Sequence, residues 1–123
     1  MRARIVSLLS VLLALAPSAP AGATPAPGFT HTPAVVGRPV TFVADPASCD
    51  TSYCSYLWRH VNGTRYGARI GEGVGLTSVE YVFSKAGVTA VSLTVTNNTN
   101  CRRPGPSGLC SASVTRSFTV AAA

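Results

Sequence analysis

The chain is poor in acid. Among its 123 residues only Asp45, Asp50, Glu72 and Glu80 carry a carboxylate. Hard cations need several oxygen ligands converging on one point, and glycoside hydrolysis needs two carboxyl groups flanking one bond. Four scattered acids supply neither, and Glu72 with Glu80 is the single conceivable pair. Histidine is equally scarce, with His31 and His60 alone. No serine stands in a G-x-S-x-G setting, so a nucleophile with its base and an orienting group has little to be built from. No enzyme, metal or cofactor is therefore expected.

Long apolar runs are also lacking, with one exception. Residues 5–16 form a mostly apolar run, follow the basic head Met1-Arg2-Ala3-Arg4, and precede the small-x-small sequence Ala21-Gly22-Ala23. A membrane span needs about 20 continuous apolar residues, and this run is broken at Pro17 and Pro20. The pattern is that of a secretory signal peptide over residues 1–23, cleaved after Ala23. Residues 121–123 carry no apolar tail of the kind a lipid anchor requires. The mature chain is thus expected to be secreted and free of the membrane, with a Pro-rich lead-in at residues 24–28 and one domain at residues 29–121.

The formal charge of +6 falls to about +4 once Arg2 and Arg4 leave with the leader, a mild excess for a small domain. Arg38, Arg59, Arg65, Arg69, Lys85 and Arg116 are spread along the chain, and only Arg102 and Arg103 are adjacent. A nucleic-acid surface concentrates its cations on one face or stripe, so none is expected here. The Gly-rich segment around Gly71-Glu72-Gly73-Val74-Gly75 fits neither G-x-G-x-x-G nor a P-loop, so flexibility rather than phosphate binding is the favoured reading.

What the sequence does contain is alternation of period two. Residues 79–97 read as strand, tight corner, strand: Val79, Tyr81 and Phe83 point one way, then Val91, Leu93 and Val95, with hydroxyl-bearing residues between the latter. This hairpin is expected to organise the fold. Val40 and Phe42 alternate inward around Thr41. In residues 54–61, Tyr56, Trp58 and His60 share a face. Trp58, the single tryptophan, is expected at the centre of a core with Phe42, Tyr56, Phe83, Leu93 and Val95, since a large aromatic gains most from burial. Residues 29–32 suggest a short first strand, and residues 112–120 a last one that Arg116 interrupts, as at a bulge or an edge. Asn62-Gly63 is a hairpin-turn dipeptide, and residues 64–77 are expected to form a short edge strand and a mobile loop. Asn62 and Asn97 open N-x-T sequons, both at strand ends where a glycan would be tolerated in a eukaryotic chain; in a bacterial one they are ordinary turn residues.

Four cysteines, Cys49, Cys54, Cys101 and Cys110, remain after export. An even count in a small exported chain implies a disulfide framework. The spacings C-x4-C and C-x8-C lack the close C-x2-C pairs of zinc ribbons, and no histidine lies near enough to complete a finger.

Val36-Gly37-Arg38-Pro39-Val40-Thr41-Phe42, then Tyr56-Leu57-Trp58, then Phe83-x-x-x-Gly87 leading into residues 91–97, resembles the polycystic-kidney-disease (PKD) domain, an immunoglobulin-like β-sandwich of extracellular proteins. The resemblance spans about residues 29–120 and implies an all-β sandwich of about seven strands. Where that family has W-D-F-G-D-G, this chain has Trp58-Arg59-His60-Val61-Asn62-Gly63. Both acids are lost, and any cation binding that they support is not carried over. His60 takes the place of a core aromatic, which implies a partly buried structural histidine.

In such a sandwich the loops bearing the cysteines project from one end. Local pairing, Cys49 with Cys54 and Cys101 with Cys110, is then expected, while cross-pairing between the loops stays open. The resemblance implies a non-catalytic module that binds an extracellular protein or polysaccharide, as a monomer, with Tyr53, Arg102 and Arg103 as contact residues beside the bridges. Two alternatives belong to other classes: a structural wall or enzyme-ancillary domain without a discrete ligand, and a small protease inhibitor presenting the loop from Cys101 to Cys110.

Overall fold

A computed structural model describes residues 24–49, 53–62, 67–99 and 110–123. The leader, Arg102, Arg103, Cys101 and the Asn62-Gly63 turn beyond Asn62 lie outside the described residues. Among the described residues seven strands follow one another: β1 (Phe29–His31), β2 (Pro39–Ala44), β3 (Cys54–Val61), β4 (Ala68–Val74), β5 (Ser78–Val82), β6 (Gly87–Asn97) and β7 (Ser111–Val120). A 3-10 turn over Pro46–Ser48 leads toward Cys49. The strands form two antiparallel sheets, of order β1-β2-β5 and β4-β3-β6-β7. This is the immunoglobulin-like sandwich that the alternation and the resemblance led us to expect.

The period-two pattern settles which side chains meet between the sheets. Val40 and Phe42 of β2, Tyr56 and Trp58 of β3, Val91, Leu93 and Val95 of β6, and Phe83 just after β5 are all buried. Trp58 has no exposed surface. Its ring lies 5.4 Å from Phe29 and 6.3 Å from Phe42, centroid to centroid, and its indole N–H donates to the carbonyl of Leu76 at 2.9 Å. Tilted and edge-on ring pairs of this kind add to the area that they bury. Burial also pushes the Tyr56 phenol above its ordinary range.

The stretch expected to form the organising hairpin does something else. β5 belongs to the smaller sheet and β6 to the larger, so the corner at residues 83–86 carries the chain across the core rather than pairing its two strands. Phe83, 3% exposed, plugs the crossing, and Gly87 accepts a φ of 118° there, a conformation that side chains with a Cβ avoid. Alternation reports the inward face of each strand and says nothing of its partner.

The Gly-rich segment holds the expected edge strand, but the strand takes in the glycines that were expected to form a loop. Residues 68–74 form a complete strand, paired with β3 from Ser55↔Val74 to His60↔Ala68 around a bulge at Trp58/Arg59. A Cβ on Gly71 would come within 3.0 Å of Leu76 Cδ2 and 3.2 Å of Val79 Cγ1. Glycine therefore lets β4 pass close beneath the turn into β5. Arg116 marks an edge, with no bulge: β7 keeps continuous register with β6, and the Arg116 guanidinium lies 5.6 Å over the Phe29 ring.

Candidate functional site

Two ends of the sandwich hold the residues that chemistry could use. At the first, the start of β3, the end of β6 and the start of β7 are tied together. Cys49 and Cys54 form a disulfide that closes the loop into β3, with a Cα–Cα separation of 6.3 Å. Cys110 is disulfide-bonded as well, and no described cysteine is free. The amide of Asn97 donates to the Cys110 carbonyl at 2.8 Å, that of Asn98 to the Tyr53 carbonyl at 3.2 Å, and that of Gly75 to the Cys54 carbonyl at 2.9 Å. The Asn98 side-chain amide adds a bond to Ser55 Oγ at 2.8 Å.

On this braced platform Tyr53 is 58% exposed, and Val74, cross-strand from Ser55, is 59% exposed. The structure thus brings together Tyr53, Cys49, Cys54 and Cys110. Val74 was not anticipated: a lone valine in a glycine run gives no signal until its cross-strand register is known. Asn97 also sits here, and it contradicts the expectation of a glycan-tolerant site. Its side chain is fully buried, with Oδ1 accepting from the Thr99 amide at 2.9 Å. It is a turn-forming residue that a glycan could not reach in the folded chain. Asn62 is exposed.

The opposite end carries a cavity of about 550 Å³ lined among others by His60, Tyr81, Phe83, Lys85 and Thr89. His60 Nδ1 lies 3.2 Å from the Tyr81 hydroxyl and Nε2 lies 2.7 Å from Thr89 Oγ1. Its ring also packs edge-on against Phe83 at 5.1 Å. A hydroxyl, an imidazole and a third group in line superficially resemble a nucleophile, base and orienter. The third group here is a phenol, however, which does not supply the negative charge that stabilises an imidazolium. Thr89 lies inside the regular β6 ladder rather than on an exposed elbow. Burial pushes the His60 imidazole below its ordinary value, favouring the neutral ring that donates through one nitrogen and accepts through the other. The arrangement serves as a clamp between sheets. Tyr81 and Thr89, distant in sequence from His60, could not be recognised as its partners beforehand.

Glu72 and Glu80 belong to different sheets, on β4 and β5, and Glu72 is paired with Arg69 at 3.2 Å. Among the described residues no three of His, Cys, Asp or Glu gather as metal ligands.

A family model described as PKD domain matches residues 22–101. The chain belongs to the PKD-domain family. Among solved structures, the PKD domain from human VPS10 domain-containing receptor SorCS2, determined in solution, is similar with a TM-score of 0.56 and 14% sequence identity, covering 85% of this chain and 80% of that one. Identity that low speaks for shared fold alone. No curated protein matches the chain. The family model ends at Cys101, so β7 of this PKD domain lies beyond the matched residues and is assigned from the structure.

Proposed function

We propose that this PKD domain is a secreted, non-catalytic module that binds an extracellular protein or polysaccharide through its cystine end. The observation that carries the reading is Tyr53. Its ring is more than half exposed, while its backbone is held between the Cys49–Cys54 bridge and the Asn98 amide. An aromatic side chain on a fixed backbone loses little entropy on contact, which is why such residues anchor interfaces. Val74 widens the apolar contact. The sequence adds Arg102 and Arg103, between Cys101 and Cys110. Export is supported by the leader pattern of residues 1–23 and by a disulfide pair, which persists in oxidising compartments.

The test is recovery of co-secreted proteins and insoluble wall or matrix polysaccharide on immobilised wild type and on Tyr53→Ala. Loss of recovery with the variant, at unchanged melting temperature, supports the reading. Equal recovery removes Tyr53 from it.

A further inference from the structure

Among the described residues the sandwich has four sheet edges, and three are blunted. β1 is three residues long. β5 is five residues long and carries Glu80. β4 carries two interior glycines and the exposed Arg69–Glu72 ion pair, and faces a bulge in β3. Short length, charge and bulges are the devices that stop a row of unpaired backbone groups from recruiting another strand. β7 has none of them. It runs ten residues, Ser111–Val120, without proline, lysine or acid, and without a register break. Its one charged residue, Arg116, turns its guanidinium over Phe29 of its own chain.

The register tells which backbone groups face outward. The Cys110 carbonyl accepts from Asn97 of β6, whereas Ala121 exchanges bonds with Ala34 and Val36 on the other side. Residues of an antiparallel strand point their N–H and C=O alternately to either side. The odd-numbered residues of β7 therefore face away from β6, and among the described residues no strand lies beyond them. They are Ser113, Thr115, Ser117 and Thr119, all exposed.

We propose that β7 is a self-association edge, taking a second copy of this chain in antiparallel pairing about a two-fold axis at Thr115. The sequence is self-complementary in that register. Thr115 faces Thr115 and Ser113 faces Ser117, so the outward-facing pairs at the centre of the register are small and hydroxyl-bearing. Equivalent pairs already join β6 to β7 inside one chain: Thr94 and Ser113 hydroxyls are 2.7 Å apart, and Thr96 and Ser111 hydroxyls 2.6 Å. Pairing between copies continues that hydroxyl ladder across an isologous interface. Arg116 meets Val114 of the other copy rather than a like charge. The outcome is an eight-stranded sheet made of two four-stranded halves, in place of the monomer expected from sequence. The interface is small, so the association is weak and concentration-dependent.

The test is sedimentation velocity on the secreted chain over a concentration series, with backbone amide exchange at the two ends of the series. The wild type is expected to pass from monomer to dimer, with slowed exchange at Ser113, Thr115 and Ser117 in the dimer. Thr115→Pro removes an outward N–H without breaking a bond to β6. Thr115→Lys places like charges directly opposite each other. Each is expected to weaken association by at least about tenfold. Val43→Lys, on the other sheet, is expected to leave it unchanged. Three results overturn the proposal: a monomer at every concentration, whether or not it captures an extended peptide of another protein; a dimer unaffected by both Thr115 variants; or concentration-independent exchange at the three amides.

Discussion

The imidazole of His60 hydrogen-bonds across the sandwich to the hydroxyl of Tyr81, Nδ1 to oxygen at 3.2 Å, and so ties β3 of the larger sheet to β5 of the smaller. Burial disfavours the charged ring and holds its titration below the ordinary 6.5. In the interval between the lowered value and 6.5 the unfolded chain binds more protons than the folded one, so stability rises with pH. His60 therefore costs the fold nothing above about pH 7.5 and progressively destabilises it as pH falls through the ordinary value. The melting temperature of the wild type should fall between about pH 7.5 and about pH 5.5, a range above most carboxylate titration. His60→Gln should flatten that slope. A slope unchanged in the variant would assign the pH dependence elsewhere.

Gly67 and Gly75 both have positive φ, 67° and 73°, yet substitution should separate them. A Cβ on Gly75 meets nothing within 4 Å, whereas one on Gly67 would lie 2.5 Å from the His60 carbonyl oxygen. Gly75→Ala carries the backbone penalty alone, about 1 to 2 kcal/mol. Gly67→Ala adds a clash with backbone and should cost clearly more. Equilibrium denaturation of the two variants checks the order, and equal losses would mean that the β3–β4 junction relaxes freely.

The Cys49–Cys54 bridge closes a loop of sequence separation 5. For a loop so short the chain-entropy estimate of its contribution is roughly 2 kcal/mol. The double variant Cys49→Ser, Cys54→Ser should lose about that much, or roughly 10 °C in melting temperature for a domain of this size. Urea titration of the oxidised wild type and the variant measures it. No change would confine the bridge to shaping the loop around Tyr53.

Trp58 gives the core its centre and also satisfies the Leu76 carbonyl. Trp58→Phe removes ring volume and leaves that carbonyl short of its partner, at an expected cost of about 1 to 3 kcal/mol. The same denaturation experiment reads it.

Much of this architecture could be seen in the order of residues. Val40, Phe42, Trp58, Leu93 and Val95 lie inside because a strand's side chains alternate, and that alternation is local information. Strand pairing is not local. Residues 79–97 read as a hairpin, yet β5 and β6 part into different sheets because Phe83 is drawn into the core at the corner. The glycines at 71 and 73 suggested a loop because glycine weakens a strand in isolation. At 71 the neighbouring Leu76 and Val79 leave space for nothing larger without adjustment, and the pairing with β3 holds the strand. Asn97 matched a sequon, a three-residue pattern that carries no information on burial. At the cystine end, Tyr53 and the cysteines were readable from position, while Val74 and the bracing amide bonds of Asn97 and Asn98 required the register between strands.

Binding through the cystine end is the central claim, and one comparison addresses it directly. Immobilised wild type, Tyr53→Ala, the double variant Arg102→Ala, Arg103→Ala, and Lys85→Ala at the opposite cavity are each challenged with co-secreted proteins and insoluble polysaccharide, with melting temperatures recorded alongside. The account predicts that the Tyr53 and arginine variants lose the captured partner by about tenfold or more, while Lys85→Ala retains it and all four melt together. Capture undiminished by the Tyr53 and arginine changes, or abolished by Lys85→Ala alone, would contradict it.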